Sequence, residues 1–480
     1  MHAALVALAL ASVACGSVTT GTAPTTATVA DVNAPPPPPP SSRLVASDGA
    51  EGDNFGGALW YNTFEKPVRP VYYATAGEAA MSSDGTVALV GVPGHTEGSQ
   101  VGVGAAYVFK EVGGHWTQTA KLLPEKRAAY DGFGWSVALS GDGKYALVGA
   151  PHRDTRINED IGGAYVFHES GGTWSQVALI RPPGVEAYDE FGSSVAFSRD
   201  GSTALVGAPS HKVGAFDGQG AAYVMRKAAN GWSAVHQLVP TVGEANANFG
   251  AYVALSANGS IALVTRLSHF DAKHVYRIGA TYLYSTADAW AKSTQRALFP
   301  DPNQNTDKTT DAYGVNAVLS DDGKVAAVAA PDVNVGKEGG AGATYLYTTT
   351  GDWGTPSENA TTTLLPPDPV QFGYYGSSVA LSADGKILWI GVDGAGSNAQ
   401  GEGFVVRPRT NGGAGRWRPE SFVQTLVAAP HRGKGRFGTA VAISADASTL
   451  LSTSPWLNIG ANVRQGAAFV IRLAPQVGQP

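Results

Sequence analysis

The chain has 480 residues, of which 43% are hydrophobic and 15% charged, and its net charge at pH 7 is −6. This composition excludes a disordered chain, which carries more charge and fewer apolar residues. The net negative charge argues against nucleic acid as a partner, because nucleic-acid-binding proteins present a broad basic surface. The 61 glycines and 29 prolines are too many for a helical protein and are typical of a chain that turns every few residues.

Residues 1–14 form an apolar segment that is too short to span a bilayer but has the length of a signal-peptide core. Cys15, the single cysteine of the sequence, follows it directly. The small residues around it, Ser12, Ala14 and Gly16, resemble the signal of a bacterial lipoprotein, in which the cysteine is lipidated and becomes the first residue of the mature protein. They also fit an ordinary cleaved signal, so lipidation of Cys15 and plain secretion are both open, as is an apolar N-terminus with no targeting role.

A linker is predicted over residues 16–42. It is rich in Thr, Ala and Pro and includes six consecutive prolines at 35–40, so it is expected to form a stiff polyproline II spacer rather than a core. With a signal segment at 1–15 and this spacer, the rest of the chain is predicted to be extracytoplasmic, as a cell-envelope lipoprotein or a secreted protein. A lipid anchor on Cys15 is the only membrane contact that we predict.

Residues 43–480 are predicted to form one repeat domain. An aromatic–glycine pair recurs seven times, at intervals of about 60 residues after a longer first interval, at Phe55-Gly56, Phe133-Gly134, Phe191-Gly192, Phe249-Gly250, Tyr313-Gly314, Tyr375-Gly376 and Phe437-Gly438. In the second repeat, short strands separated by glycine-containing turns are predicted over 136–140, 145–150, 163–167 and 174–180. This pattern is typical of an antiparallel β-meander.

A single four-stranded meander leaves two apolar faces and an edge uncovered and is unstable alone. Seven such units are expected to close into an all-β, seven-bladed β-propeller of four-stranded antiparallel blades. The seventh repeat ends after its third strand, whereas residues 43–46 resemble the fourth strands of other repeats, such as 121–124. We therefore predict that the N-terminal strand closes the last blade.

The Phe-Gly openings and the Gly-Ala-Pro endings, at 149–151 and 207–209, resemble the FG-GAP repeats of the integrin α-subunit propeller. They are closer still to secreted bacterial proteins that reuse this repeat, and the resemblance extends over nearly all of residues 43–473. Integrin repeats often carry a calcium loop between the first two strands. Here that loop is a short Ser-x-Asp-Gly turn, which cannot supply the six to eight oxygen ligands that calcium needs. We therefore expect no calcium and no other cofactor, and interpret the Asp-Gly pairs as turn formers.

The candidate binding residues lie in the loops between the second and third strands of each repeat, where a rigid scaffold usually carries its binding residues. Histidines recur one or two residues beyond the second strand, and acids and amides follow them: His95, His152, Asp154, His211, His269, Asp271, Asp332, Asn334 and, in the last repeat, Trp456. One interpretation is a His/Asp-lined pocket near the ring axis, able to bind a transition metal or to titrate near pH 6. The other, which we favour because no metal-ligand spacing is present, is that duplication spread these residues and that they bond loop backbone.

A basic cluster enters the seventh repeat and contains Arg432, Lys434 and Arg436. It could bind a sulfate, carboxylate or phosphate group, or it could be a solvated loop. The tryptophans that open the predicted fourth strands are expected to pack the blades: Trp116, Trp174, Trp232, Trp290, Trp353 and Trp417. No catalytic sequence motif is present.

The leading functional hypothesis is a non-enzymatic binding or adhesion module that engages a protein or glycan ligand through the variable loops of one propeller face. The alternatives are a structural repeat protein of the cell envelope and a glycan-active enzyme, a lyase or hydrolase, with its site at the propeller axis.

Overall fold

The computed structural model describes residues 41–57, 79–155, 159–267, 279–299, 312–353, 357–394, 399–409, 417, 422–430 and 434–473. Within these ranges all regular structure is β, and no helix long and apolar enough to cross a membrane is found there. The strands in chain order are β1 (Ser41–Leu44), β2 (Ala79–Met81), β3 (Val87–Val92), β4 (Ala105–Val112), β5 (His115–Leu122), β6 (Val137–Leu139), β7 (Tyr145–Gly149), β8 (Ala164–Ser170), β9 (Thr173–Ile180), β10 (Val195–Phe197), β11 (Thr203–Ala208), β12 (Ala221–Ala228), β13 (Gly231–Leu238), β14 (Phe249–Leu255), β15 (Ile261–Arg266), β16 (Ala280–Ser285), β17 (Thr294–Phe299), β18 (Ala317–Leu319), β19 (Val325–Ala330), β20 (Ala343–Thr348), β21 (Ser357–Asn359), β22 (Thr362–Leu364), β23 (Tyr375–Leu381), β24 (Leu388–Val392), β25 (Glu402–Pro408), β26 (Phe422–Ala428), β27 (Val441–Ile443), β28 (Thr449–Ser454) and β29 (Ala467–Arg472).

These strands form seven antiparallel sheets, the blades, which confirms the predicted seven-bladed β-propeller. Blades 1 to 3 consist of β2–β5, β6–β9 and β10–β13, blade 4 of β14–β17, blade 5 of β18, β19, β20 and β22, blade 6 of β23–β26, and blade 7 of β27, β28, β29 and β1. Blade 4 has one addition that the sequence did not predict. The short strand β21 leaves blade 5 and pairs in parallel with the outer edge of β17, so that blade 4 has five strands.

The N-terminal strand closes the ring, as predicted. β1 runs antiparallel to β29, with Ser41 opposite Ile471 and Leu44 opposite Ala468, and the Leu44 side chain is buried. Three residues further on, the Ser47 N–H donates to Gln118 Oε1 of blade 1 at 2.9 Å. One short segment therefore completes blade 7 and also contacts blade 1.

The ring of blades is closed a second time by hydrogen bonds at the turns between the first and second strands of the blades. Each turn donates one backbone N–H to the carbonyl of the next turn, at N···O distances of 2.7–3.1 Å, in the order Ser83, Gly141, Arg199, Ala257, Asp321, Ala383, Ala445 and back to Ser83. This cycle of seven hydrogen bonds links every blade to the next and links blade 7 to blade 1 independently of β1.

The same turns use their polar side chains internally. In blade 2 the Ser140 hydroxyl donates to Asp142 Oδ1 at 2.6 Å, Asp142 Oδ1 accepts the Lys144 N–H at 3.0 Å, and Ser140 Oγ accepts the Tyr145 N–H at 2.9 Å. The serine bonds an Asp or Asn two residues later in the other six blades as well, at Ser82, Ser198, Ser256, Ser320, Ser382 and Ser444. The interpretation of these residues as turn formers is confirmed, and the expected lack of calcium stays a prediction.

The Phe-Gly and Gly-Ala-Pro positions form the joints between blades. Phe133 is fully buried, packs edge-on against Tyr165 with ring centroids 5.4 Å apart, and donates its N–H to Val103 O of the preceding blade. At the next joints, the glycine of Gly-Ala-Pro lies against the glycine of the following Phe-Gly. A Cβ on Gly207 would stand 1.9 Å from Gly250 O, so only glycine allows the two backbones to come this close.

The predicted packing role of the tryptophans is confirmed, but their positions differ between the two halves of the chain. Trp116, Trp174 and Trp232 lie on β5, β9 and β13, as expected. In blades 4 to 6 the tryptophan precedes the fourth strand, is buried, and donates its indole N–H to a carbonyl of the Ser-x-Asp-Gly turn: Trp290 to Gly259 at 2.7 Å, Trp353 to Gly323 at 2.9 Å and Trp417 to Gly385 at 2.8 Å.

Candidate functional site

The propeller has two unlike faces. The hairpins that join the first strand to the second and the third to the fourth lie on one side, which we call the hairpin face. The connections from the second strand to the third and from one blade to the next lie on the other side, which we call the loop face. The candidate binding residues that the structure describes belong to loop-face connections.

The loops between the second and third strands vary less than predicted. In blades 1, 3, 5 and 7 they form the same small hairpin, closed by reciprocal backbone hydrogen bonds between Glu97 and Gln100, Val213 and Phe216, Val335 and Glu338, and Ile459 and Asn462. The backbone of these loops is therefore repeated, and it is the side chains that differ from blade to blade.

Two of the predicted histidines are equivalent and form imidazole–carboxylate pairs. His95 Nδ1 lies 3.2 Å from Asp53 Oδ2, and His211 Nδ1 lies 2.7 Å from Asp189 Oδ2. Each aspartate stands two residues before a Phe-Gly aromatic and also accepts a backbone N–H three residues upstream, from Ala50 and Glu186 respectively. Each pair therefore lies within one blade and its opening segment, and it binds two loops of the face together.

Blade 2 departs from this arrangement because its histidine is one residue out of step. Arg153 makes the two backbone hydrogen bonds that His95 makes in blade 1, while His152 packs edge-on against Trp135 at a centroid distance of 5.0 Å. Its Nδ1 lies 3.5 Å from Asp160 Oδ1. Burial opposes protonation of this ring, but Asp160 and the other nearby acids outweigh burial and raise the pKa of His152.

Asp131, the blade 2 counterpart of Asp53, is buried and accepts the Ala128 N–H at 2.7 Å. Burial raises its pKa to about 6. The stability that a neutral carboxyl contributes is thus present below about pH 4 and is lost as the pH rises through about 6.

Asp131→Asn keeps a side-chain oxygen that can accept the Ala128 N–H, and it removes the buried negative charge. We expect it to raise the free energy of unfolding by about 1–2 kcal/mol at pH 7 and by much less at pH 4. Denaturant titrations at the two pH values measure this difference, and Asp217→Asn, at an exposed loop-face carboxylate, is the control. Equal effects of Asp131→Asn on the free energy of unfolding at both pH values would contradict a raised pKa of the Asp131 carboxyl.

A charged cluster that the sequence did not reveal surrounds His95. Lys121 Nζ lies 2.7 Å from Asp48 Oδ2 and 2.5 Å from Glu97 Oε2, and His95 Nε2 lies 3.4 Å from that same Glu97 oxygen. The Tyr107 hydroxyl donates to Asp48 Oδ1 at 2.8 Å. The Lys121 ammonium lowers the pKa of Glu97. Asp48 lies four residues beyond the end of the closing strand, so this cluster fastens the segment that follows β1 to blade 1.

Other predicted ligand-binding residues shape their own loops. Asp154 Oδ1 accepts the Asp160 N–H at 2.8 Å, and Asn334 Oδ1 accepts the Gly340 N–H at 3.0 Å. Asn458 makes the same six-residue bond in blade 7, to the Arg464 N–H at 3.0 Å. Asp332 is half-buried at the start of its loop. Whether any of these residues also contacts a ligand stays a prediction.

His269, Asp271 and Arg432 lie outside the described residues, as does Cys15. The described part of the chain contains no group of three or more His, Cys, Asp or Glu side chains arranged to hold a metal ion. The His95–Asp53 pair lies in blade 1 and its opening segment, and the His211–Asp189 pair lies in blade 3 and its opening segment.

Exposed apolar side chains gather on the loop face. Of the thirteen large apolar residues that are exposed in the described ranges, eight lie in loop-face connections: Val101, Tyr130, Tyr188, Phe216, Val242, Val370, Phe372 and Val463. Three of these are aromatic residues that stand three positions before the aromatic of an aromatic–glycine pair. For two of them a sequence signal exists, because Tyr-Asp recurs before Phe-Gly at Tyr130-Asp131 and Tyr188-Asp189.

The basic cluster of blade 7 is partly described, and one of its residues, Arg436, contacts Trp456, a candidate residue of the following loop. The Arg436 guanidinium lies over the Trp456 ring, with Cζ 4.5 Å from the ring centroid, and Lys434 is exposed two residues earlier. The Arg464 guanidinium, which was not predicted, lies over the same ring at 4.7 Å. Behind them, Asp393 Oδ2 is 3.5 Å from Arg436 Nε.

Comparison with known proteins agrees with the repeat motif. The model of a family described as FG-GAP repeat matches residues 116–167 and 174–225. Each match begins on or near a fourth strand, includes an aromatic–glycine joint, and ends on the third strand of the following blade. No curated protein sequence matches the chain. The crystal structure of RRP9 WD40 repeats matches with 10% identity over 88% of this chain and 99% of that chain, at a TM-score of 0.49. The chain is a seven-bladed β-propeller in which two stretches, residues 116–167 and 174–225, match the FG-GAP repeat.

Proposed function

We propose that this propeller is a non-enzymatic, extracytoplasmic interaction module that binds a protein or glycan ligand through its loop face. The observation that carries the proposal is the unequal distribution of exposed apolar and aromatic side chains between the two faces. The first-to-second-strand turns of the hairpin face use their serine and aspartate side chains within each turn. The loop face instead presents aromatic side chains, which are enriched where proteins bind partners.

Backbone conformation supports this reading. Tyr130, Tyr188 and Phe372 have φ values of 69°, 66° and 56° and are 42%, 56% and 56% exposed. A left-handed conformation costs a bulky residue about 1–2 kcal/mol relative to glycine. Gly52 holds the equivalent position at the joint between blades 7 and 1, so the fold accepts glycine there. Three strained, exposed aromatics at such a position are typical of residues kept for binding.

The position of these aromatics is fixed by the scaffold. Tyr130 donates its N–H to Val101 O at 2.9 Å, and Tyr188 and Phe372 donate theirs to Glu159 O and Gly339 O at 2.9 and 2.8 Å. Because the acceptor always belongs to the preceding blade, each aromatic stands at a joint of the ring. A face held in this way is preorganised, which lowers the entropic cost of binding. FG-GAP repeats are typical of extracellular domains, and this supports the extracytoplasmic part of the proposal.

The test is a glycan-array and peptide-array screen of the full chain beside the triple variant Tyr130→Asn, Tyr188→Asn and Phe372→Asn. Asparagine tolerates left-handed backbone, so the variant is expected to keep its melting temperature and to lose at least about tenfold in affinity, since a few aromatic residues usually dominate an interface. The control replaces Val112, Val177 and Val235 by Thr, which alters exposed apolar residues outside the loop face. Unchanged binding by the asparagine variant, or an equal loss in the control, would contradict the proposal.

A further inference from the structure

The loop face of blade 7 holds two cationic side chains on one aromatic ring. Arg436 comes from the connection that enters the blade, and Trp456 and Arg464 come from the loop between β28 and β29. Both guanidinium carbons lie less than 5 Å from the centre of the Trp456 ring, within the range of a cation–π contact. The ring thus contacts two cationic side chains on a chain whose net charge is negative.

Hydrogen bonds fix the backbone of all three residues. Trp456 donates its N–H to Gly435 O at 3.2 Å, and Arg436 donates its N–H to Ala399 O at 3.0 Å. The Arg464 carbonyl accepts the Asn54 N–H at 3.0 Å. The three backbone partners, Gly435, Ala399 and Asn54, belong to three different loops. The positions of the three side chains therefore do not depend on a single segment.

Arg464 is not required by the fold at its position. Its backbone is left-handed, with φ of 52°, and the equivalent residues in blades 1, 3 and 5 are Gly102, Gly218 and Gly340, which also have positive φ. Glycine is the unstrained choice for such backbone. An arginine here, with its side chain exposed over Trp456, adds a positive charge where the loops of blades 1, 3 and 5 have no side chain.

The positive charge of this site is poorly balanced. The only carboxylate paired with Arg436 in the described ranges is Asp393, which is buried, and Arg436 Nε makes no hydrogen bond there. Arg464 makes no ion pair within the same ranges, and Lys434 is exposed nearby. Burial of the Asp393 side chain raises its pKa, against the effect of Arg436.

We propose that Arg436, Trp456 and Arg464 form a binding site for an oxyanion, that is, a carboxylate, sulfate or phosphate group. Guanidinium groups suit such groups because their planar N–H donors match two oxygens at once. Trp456 supplies the surface that orients both donors before the anion arrives, and Lys434 adds attraction at longer range. This inference rests on the loops at blade 7 and their contacts with the neighbouring blades, and it does not require the exposed aromatic residues Tyr130, Tyr188 and Phe372.

The experiment is calorimetric titration of the full chain with sodium sulfate, sodium phosphate and sodium acetate, each in sodium chloride at constant ionic strength. Saturable binding of one anion per chain is expected for at least one of the three, and their order of affinity identifies the preferred group. Arg464→Gln is expected to weaken that binding at least tenfold. It removes an exposed side chain without an ion pair, so its melting temperature is expected to stay that of the wild type. Arg436→Lys, which keeps a cation beside Asp393 but loses the guanidinium, is expected to weaken binding as well.

Lys212→Gln is the matched control, because Lys212 is an exposed cation on the same face that pairs with Asp217. It is expected to leave anion binding unchanged. The proposal is overturned if the wild-type chain shows no saturable binding of any of the three anions. It is also overturned if the Lys212 variant loses as much affinity as the Arg464 variant, since bulk charge would then account for the result.

Discussion

Deletion of residues 41–48 is expected to lower the free energy of unfolding by several kcal/mol, roughly 3–5, and to make the protein self-associate. The deletion removes the buried Leu44 and Ala46 and all backbone pairing on the outer edge of β29. It also removes Asp48, which fastens this segment to Lys121 and Tyr107 of blade 1. The cycle of hydrogen bonds through Ser83 and Ala445 remains, so we expect a weakened propeller with an exposed strand edge rather than an unfolded chain.

Denaturant titration and size-exclusion chromatography measure the two effects of this deletion. The control is a deletion of equal length within the Thr/Ala/Pro-rich segment, residues 20–27, which is expected to change neither the unfolding midpoint nor the elution volume. If the 41–48 deletion unfolds at the wild-type denaturant concentration and elutes as a monomer, the N-terminal strand does not close the ring.

Gly207→Ala is expected to destabilise the protein by about 1–3 kcal/mol or more. The added methyl group would stand 1.9 Å from the Gly250 carbonyl oxygen, and this neighbour is backbone that cannot turn aside as a side chain would. Relief requires that blades 3 and 4 move apart, which also disturbs the packing of Phe249. The effect is measured as a shift of the urea midpoint at unchanged slope.

Gly351→Ala is the matched control, because its Cβ would meet nothing within 4 Å and its φ is not positive. There alanine is expected to be neutral or slightly stabilising, since it restricts the unfolded chain. Equal stability of the two alanine variants would show that the Gly-Ala-Pro glycine is not a joint between blades.

The architecture was predictable because its signals are local and repeated. The aromatic–glycine pairs, the turns with Ser followed two residues later by Asp or Asn, and the strand spacing all act within a few residues of one another, and each recurs in every blade. In the second repeat the strands predicted over 145–150 and 174–180 lie at Tyr145–Gly149 and Thr173–Ile180. The closing strand was also predictable, because a blade that lacks its fourth strand leaves an edge to be paired.

The candidate site was less predictable because its contacts join segments that are distant in sequence. Nothing local indicates that Lys121 bridges Asp48 and Glu97, or that Arg464 shares the ring of Trp456 with Arg436. Aligning the loop residues by their distance from the end of the second strand also gave the wrong result in blade 2, where Arg153 occupies the position that His95 holds in blade 1.

The most direct test of a binding loop face is to cover each face of one blade in turn. Lys337 and Lys324 are both exposed in blade 5, Lys337 in the loop before β20 and Lys324 in the turn before β19. Cysteine is introduced at one or the other in a chain whose Cys15 is replaced by Ala, and a large polyethylene glycol maleimide is attached. Capture by the array ligand of the wild-type chain is then measured. We predict that the polymer at Lys337→Cys abolishes capture and that the same polymer at Lys324→Cys leaves it intact. Loss of capture on labelling Lys324→Cys, with capture retained on labelling Lys337→Cys, would contradict the account.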